Sequence, residues 1–144
     1  MSNSIITYGE KKINTKDFVL FVALAFFLGN LKRDSLPEWF NRYLEEVIDV
    51  VLDVKPIGWA YLDLEEYFET NEKKIFFINL INGYIQNLNE KGIDRIEAHY
   101  INNLLHLEDI EKLDNNFYLE IKPIKECLQN IIFLLDDNKT AKPS

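Results

Sequence analysis

The chain contains two histidines, and their spacing decides whether they could hold a metal ion. His99 and His106 lie seven residues apart on a predicted helix, with Glu97, Glu108 and Asp109 nearby. Zinc sites on helices use histidines at i and i+4, or a Glu-x-x-His pair, together with further ligands. Neither pattern occurs, so we interpret both residues as ordinary helix histidines and expect no metal requirement.

The side chains that could act as nucleophiles lack a neighbouring base. The four serines, at positions 2, 4, 35 and 144, fall near the two ends of the chain and at a predicted helix cap. Cys127 is the single cysteine, which excludes an intramolecular disulfide and predicts a small core side chain on a helix. Carboxylates are plentiful, but general acid–base catalysis requires a sheltered pair with one raised pKa. We therefore expect no enzyme activity.

Loops that bind phosphate or calcium are also missing from the sequence. The five glycines, at positions 9, 29, 58, 83 and 92, are isolated, so they cannot build a phosphate-cradling loop. Asp114, Asn115, Asn116 and Glu120 are oxygen-bearing residues, but they lack the spacing and the central glycine of a calcium loop. The sequence predicts a turn there, and no cofactor.

Acidic residues are concentrated in residues 34–72. This segment holds eleven acidic residues and two basic ones, whereas the other 105 residues hold 13 acidic and 14 basic ones. The segment therefore has a formal charge of −9 and the rest of the chain +1, so the net charge of −8 originates in residues 34–72. An acidic surface repels nucleic acid and anionic lipid and attracts basic surfaces. We therefore expect a basic protein partner and neither a nucleic-acid nor a membrane partner.

Residues 18–28 form an uninterrupted apolar run of eleven residues. A membrane span needs about 20 such residues, so the run is too short to cross a bilayer. Asp17 adjoins the run, and the only small-residue cleavage pattern would cut it in half, which argues against a signal peptide. We interpret the run as a buried helix and, because the cysteine is alone, expect a cytoplasmic protein.

Capping signals locate the first two helices. Thr15 is the predicted N-cap of the apolar helix, and Gly29 its stop. Ser35, with Pro37 and Glu38, resembles a capping box and predicts a helix that continues to about residue 54. Along that helix, one face is apolar (Phe40, Tyr43, Leu44, Val47, Ile48 and Val51) and the other is acidic.

Further signals locate the rest of the chain. Asp63 is predicted to cap a short acidic helix ending near residue 69, and Thr70 or Asn71 to cap a long helix ended by Gly92. Residues Asp94 to Glu97 match a capping box and predict a third helix. Residues 108–113 could add a turn, and Pro123 lies at the start of the last helix. The predicted fold is an all-α domain of five to seven helices spanning residues 1–136, with a frayed tail over 137–144. Residues 5–13 carry the one strand-like pattern, which is consistent with a short β-hairpin. The predicted core includes Phe21, Leu24, Leu44, Val47, Phe76, Leu80, Leu104 and Ile131.

The acidic segment is the candidate binding site. Like charges at Glu45 and Asp49, and at Asp49 and Asp53, each destabilise a helix by about 0.2–0.5 kcal/mol, a cost that solubility alone does not require. Aromatic residues interleave with the acids and suit tight binding to a basic protein; for Tyr43 and Phe68 we favour a core position. The predicted partner-binding residues are Glu38, Trp39, Glu45, Glu46, Asp49, Asp53, Asp63, Glu65, Glu66 and Glu69.

A small, acidic chain without a catalytic motif resembles the immunity proteins that bacteria make against their own toxins, such as those of contact-dependent growth inhibition. Residues 36–40, Leu-Pro-Glu-Trp-Phe, also resemble a helix of barstar, an inhibitor of a ribonuclease. The resemblance implies a protein that covers the phosphate-binding site of a nuclease toxin. We do not transfer the barstar fold, because the alternating pattern of its parallel strands is not evident in the sequence.

Two other binding functions, and an enzymatic function, remain as alternatives to an immunity protein. A phage or mobile-element inhibitor that mimics nucleic acid would be equally acidic, but it would compete with nucleic acid for a large effector. A helical adaptor or regulatory subunit would bind through an apolar groove and would therefore tolerate high salt. An enzyme would need an active site without a linear motif.

Overall fold

The computed structural model describes residues 3–29, 31–49, 61–105 and 112–136. It begins with a hairpin of two antiparallel strands, β1 (Asn3–Tyr8) and β2 (Lys11–Lys16). Gly9 in the connecting turn has a φ of 60°, a left-handed conformation that favours glycine. The strand-like pattern of residues 5–13 is thus confirmed as a hairpin.

The first sheet gains its third strand from a distant part of the chain. Strand β3 (Tyr61–Asp63) pairs in parallel with β1, which gives the order β2-β1-β3. Ile6 and Leu62 face each other in this register and are both buried. Burial of this pair places one face of the sheet against the core.

A second sheet contradicts the predicted all-α fold. Strands β4 (Arg95–Glu97) and β5 (Tyr118–Glu120) pair antiparallel, with the buried Ile96 opposite Leu119. The capping box expected at Asp94 is therefore wrong: the chain stays extended there, and the Asp94 carbonyl accepts a hydrogen bond from the amide of Ile121. With two sheets and several helices, the fold is mixed α and β.

The helical elements comprise five α-helices and three short turns among the described residues. The helices are α1 (Asp17–Gly29), α2 (Glu38–Tyr43), α3 (Asn71–Glu90), α4 (Ala98–Leu104) and α5 (Ile121–Leu135). Arg33–Ser35 and Leu64–Glu66 form 3-10 turns, and Leu44–Ile48 continues α2 as a π-helix.

The capping predictions have mixed outcomes. Thr70 is confirmed as an N-cap, because its side-chain oxygen accepts a hydrogen bond from the amide of Lys73. Asp63 also acts as a cap and accepts from the amide of Glu65, but it opens only the 3-10 turn Leu64–Glu66, so the acidic helix predicted to continue to residue 69 is wrong. Thr15 is not a cap; it lies in β2, and α1 begins at Asp17, whose carboxylate accepts a hydrogen bond from the hydroxyl of the buried Ser4. The long helix α3 ends before Gly92, as predicted.

The cap predicted at Ser35 is also wrong. Its hydroxyl donates to the carbonyl of Lys32 instead, inside a 3-10 turn, and Pro37 is the residue that precedes α2. Ser35 lies two residues before this N-cap position, and Pro37 has no side-chain acceptor, so the N-cap residue does not cap the first amides of α2.

Helix α1 lies at the centre of the core, as its apolar sequence predicts. Phe27 of α1 packs against Phe77 and Tyr84 of α3, with ring centroids 6.1 and 5.3 Å apart. The buried apolar side chains of the described residues form one continuous cluster. Of the predicted core residues, four are buried (Phe21, Leu24, Leu44 and Ile131) and four are partly buried against that cluster (Val47, Phe76, Leu80 and Leu104).

Several predictions fall outside the described residues. These are the continuation of the acidic helix to residue 54, most of the turn at residues 108–113 and the tail over 137–144. Asn115 and Asn116 do form the predicted turn, in which the amide of Phe117 donates to the carbonyl of Asp114. In the part of the chain that is described, no helix has the length and apolarity needed to cross a bilayer.

Candidate functional site

The helix that starts at Glu38 separates its apolar and acidic residues, as its sequence predicts. Phe40, Tyr43, Leu44 and Ile48 are buried. The opposite side is exposed and carries Glu38, Arg42, Glu45 and Glu46. The predicted wheel is thus confirmed for residues 38–49, whereas Val51 and Asp53 lie outside the described residues. Together with the partly exposed Asp49, this stretch carries four acidic residues and one basic residue outside the core.

Asp49 is held by a cation that the helical wheel does not show. The guanidinium of Arg33 donates two hydrogen bonds to its carboxylate, at 3.0 and 2.9 Å. These bonds hold the pKa of Asp49 below its usual range, and the same contact raises the pKa of Arg33. The prediction of uncompensated repulsion between Glu45 and Asp49 therefore needs correction, since the positive charge of Arg33 lies close to both carboxylates.

An aromatic cluster lies beneath the acidic side chains. Trp39 contacts Phe68 and Phe76 edge to face, at centroid distances of 5.7 and 5.4 Å. Phe68 stacks on Phe77 at 4.8 Å with an interplanar angle of 5°. Tyr43 and Phe68 are buried, so their predicted core position is confirmed. These contacts join α2, the segment after β3 and α3 into one packed unit.

Tyr67 brings the two acidic segments together. Its ring lies 5.1 Å from that of Tyr43, and its hydroxyl donates to Oε2 of Glu46 at 2.8 Å. The hydrogen bond to Glu46, together with partial burial and the negative charges of Glu46 and Glu66, raises the pKa of Tyr67 to about 12. Side chains 21 residues apart in sequence therefore share one surface.

Two further cations lie on this surface. The Lys73 ammonium contacts Oε1 of Glu69 at 2.7 Å and lies 5.2 Å from the ring centroid of Trp39. Arg42 approaches Glu38 at 3.8 Å on the same helix. Among the described residues, no ion pair holds Glu45, Glu65 or Glu66.

Not every predicted site residue belongs to the same surface. The carboxylate of Asp63 caps the turn Leu64–Glu66, which gives it a structural role. Glu65 points toward the hairpin, where its Oε2 lies 3.6 Å from the position that a Cβ at Gly9 would occupy. Asp53 lies outside the described residues. We call the remaining residues the acidic face: Glu38, Glu45, Glu46, Asp49, Glu66 and Glu69, with Trp39 and Tyr67 between them.

The sequence analysis missed two cations of this surface, Arg33 and Lys73. It placed Tyr67 among the aromatic residues interleaved with the acids, but it did not predict the contact of Tyr67 with Glu46. Lys73 lies four residues after Glu69, so helix spacing could have identified that pair. Arg33 is 16 residues from Asp49 and Tyr67 is 21 residues from Glu46, and no local pattern indicates contacts at such separations. Only the folded chain reveals them.

The groups that were considered for catalysis are not assembled into a site. In the part of the chain that the structure describes, no cluster of three or more potential ligands could hold a metal ion. His99 is exposed, with its ring 4.3 Å from that of Tyr100, and His106 lies outside the described residues. Cys127 is buried, and burial raises the pKa of its thiol to about 11, which keeps it protonated and unreactive.

The link between Tyr67 and Glu46 predicts a measurable pH effect. Because the folded pKa is raised, this contact stabilises the fold below about pH 10, and the stabilisation is lost as pH rises toward about 12. Glu46→Gln removes the charged acceptor, so the pKa of Tyr67 should fall toward its ordinary value of about 10. Carbon-13 NMR between pH 8 and 11 checks this, because the Tyr67 ring should titrate in that range in Glu46→Gln and stay protonated over most of it in the parent.

Glu38→Gln is the control for this titration, because it removes an exposed carboxylate of the same helix that does not contact Tyr67. It should leave the pKa of Tyr67 unchanged. An unaltered pKa in Glu46→Gln would contradict the hydrogen bond between the two segments.

Comparisons of this chain with models of known protein families, with curated proteins and with solved structures find no match.

Proposed function

We propose that this protein is a small cytoplasmic binding protein that neutralises a basic protein partner, a nuclease toxin, in the manner of an immunity protein. The acidic face is the surface that would bind. One observation supports this most directly: two acidic segments that are separate in sequence meet around Tyr67, on top of a packed aromatic cluster.

The charge of the acidic face suits such a partner. Its six carboxylates are accompanied by three cations, Arg33, Arg42 and Lys73, which leaves a formal charge of −3 on the surface. A nuclease binds phosphates through a basic site, and a negative surface complements it. Glu45 and Glu66 have no ion-pair partner among the described residues, so they are the carboxylates most available to a partner's cations.

The packing beneath the face suits tight binding. Trp39 is partly buried against Phe68 and Phe76, and Tyr67 is fixed at its ring and at its hydroxyl. A side chain that is already ordered loses little conformational entropy when a partner binds. Aromatic residues of this kind are frequent among the residues that dominate binding energy.

The resemblance of residues 36–40 to barstar also supports the proposed role. The quoted residues 36–40 include Glu38 and Trp39 of the acidic face. The sequence argument against a parallel sheet is wrong, since β1 and β3 pair in parallel. No solved structure matches this chain, so the resemblance is confined to residues 36–40. It supports a similar role and does not support a similar fold.

The test begins with capture of the partner by the tagged full-length chain in its native host. We expect a basic protein with nuclease activity that the purified chain abolishes at a one-to-one ratio. The association rate should fall on the order of tenfold or more when salt rises from about 0.05 to 0.5 M, because exposed charges are then screened beyond a few ångströms.

Other outcomes separate the alternatives. A partner whose association rate is independent of salt would indicate an adaptor that binds through apolar surface. A large nucleic-acid-binding effector, from which nucleic acid displaces this chain, would indicate a nucleic-acid mimic. An acidic partner would contradict a binding role for the acidic face altogether.

A further inference from the structure

The helix that carries the acidic face changes its hydrogen-bond register at Leu44. Residues Leu44–Ile48 form a π-helix, and the amide of Asp49 donates to the carbonyl of Leu44, five residues earlier. In the preceding turn, the amide of Leu44 still donates to the carbonyls of Phe40 and Asn41. Short π-helical turns inside α-helices are rare and occur frequently at functional sites. This turn therefore needs a cause outside its own backbone.

Burial of Leu44 and Ile48 does not by itself require the π register. These two side chains are 0% and 1% exposed, and Val47 between them is partly buried. Leu44 and Ile48 lie four residues apart, so an ordinary α-helix would also keep both on one face. Their burial therefore does not distinguish the two registers.

Two polar contacts from other elements hold the turn instead. Arg33, in the 3-10 turn before α2, binds the carboxylate of Asp49 with two hydrogen bonds. Tyr67, after β3, donates to the carboxylate of Glu46. One contact lies in the middle of the turn and the other at its C-terminal end, and they come from opposite directions in sequence.

We propose that Leu44–Ile48 is a two-state element, held in the π register by the contacts of Arg33 with Asp49 and of Tyr67 with Glu46. Releasing both contacts converts the turn to α-helix, so that the amide of Asp49 donates to the carbonyl of Glu45. A one-residue change of register rotates the following side chains by about 100° around the helix axis, which moves Asp49 away from Arg33.

The two states of the turn bear on partner binding because the contacts that hold it involve carboxylates of the acidic face. A partner cation that captures Glu46 or Asp49 competes with Tyr67 or Arg33 and so favours the α register. This coupling to a partner rests on the proposed function. The two states of the turn do not, and they can be tested on the isolated protein.

The test measures which carbonyl accepts the Asp49 amide. Scalar coupling across the hydrogen bond, observed by NMR on isotope-labelled full-length protein, should connect the Asp49 nitrogen to the Leu44 carbonyl carbon in the parent. In Arg33→Gln with Tyr67→Phe, which keeps the side chains close in size, the coupling should move to the Glu45 carbonyl. Each single variant should show both couplings or the parent's coupling alone.

Arg42→Gln is the matched control, since it removes a guanidinium from the same helix that pairs with Glu38 outside the turn. It should leave the Leu44 coupling intact. Amide exchange at Ile81, in the core of α3, reports whether each variant stays folded. If the double variant does not stay folded, 1 M NaCl on Tyr67→Phe replaces it, because the Arg33–Asp49 pair is exposed to salt.

Three results would overturn the proposal. They are a Glu45 coupling in the parent, a Leu44 coupling that survives loss of both contacts, and a shift to Glu45 in the Arg42→Gln control. None of them bears on whether a basic partner binds, so the proposed function is tested separately by partner capture.

Discussion

Glu45→Lys together with Glu66→Lys is expected to slow association with a basic partner by on the order of 10- to 100-fold at low salt. Both carboxylates are exposed and without an ion pair among the described residues, so reversing them removes attraction for a partner without breaking an ion pair; within the chain, Glu45 loses only its electrostatic attraction to Arg33. The effect should lie mainly in the association rate and should shrink as salt rises, because charges at the rim of an interface act through long-range steering. Stopped-flow or surface-based kinetics on the captured partner measures it.

A matched control separates steering by the acidic face from a general effect of net charge. Glu90→Lys with Glu126→Lys produces the same change, from −8 to −4, at exposed positions of α3 and α5. The reduction in association rate caused by this control should be several-fold smaller than the reduction caused by the change at Glu45 and Glu66. Equal slowing by both double variants would mean that the acidic face has no special role. Asp49 is left unchanged because a substitution there would break the two hydrogen bonds that its carboxylate accepts from Arg33.

Leu44→Ala should lower the free energy of unfolding by about 2–5 kcal/mol, because it leaves a cavity in a closely packed core. Leu44 is 0% exposed and belongs to the buried apolar cluster of the core. Urea unfolding followed by circular dichroism gives the value, with a nearly unchanged dependence on denaturant.

Val47→Ala is the comparison for this cavity. Val47 lies on the same helix but is only partly buried against the core, so its truncation should cost clearly less than that of Leu44. A loss below about 0.5 kcal/mol for Leu44→Ala, the range of ordinary surface substitutions, would place Leu44 at the surface and contradict the helical wheel.

Local sequence signals predicted the approximate positions of most helices and the buried side of the helix that starts at Glu38. The apolar run of α1, the caps at Asp63 and Thr70 and the left-handed Gly92 each depend on residues within about one helical turn. The wheel of residues 38–49 follows from 3.6-residue periodicity in the same way. The clustering of charge in residues 34–72 likewise required no structure, and it identified most of the acidic face.

Tertiary structure alone decided the strands β3, β4 and β5 and the geometry of the acidic face. Residues 61–63 and 95–97 are too short to show an alternating pattern, and they are extended because distant strands supply their hydrogen-bond partners. The box at Asp94 satisfied every local rule for a helix start, yet the pairing of Arg95–Glu97 with Tyr118–Glu120 prevailed. The contacts of Arg33 with Asp49 and of Tyr67 with Glu46 also form only in the folded chain, because their residues are 16 and 21 positions apart in sequence. Local sequence sets what each segment prefers, but contacts between distant segments decide which preference is realised, because their free energy exists only in the folded chain.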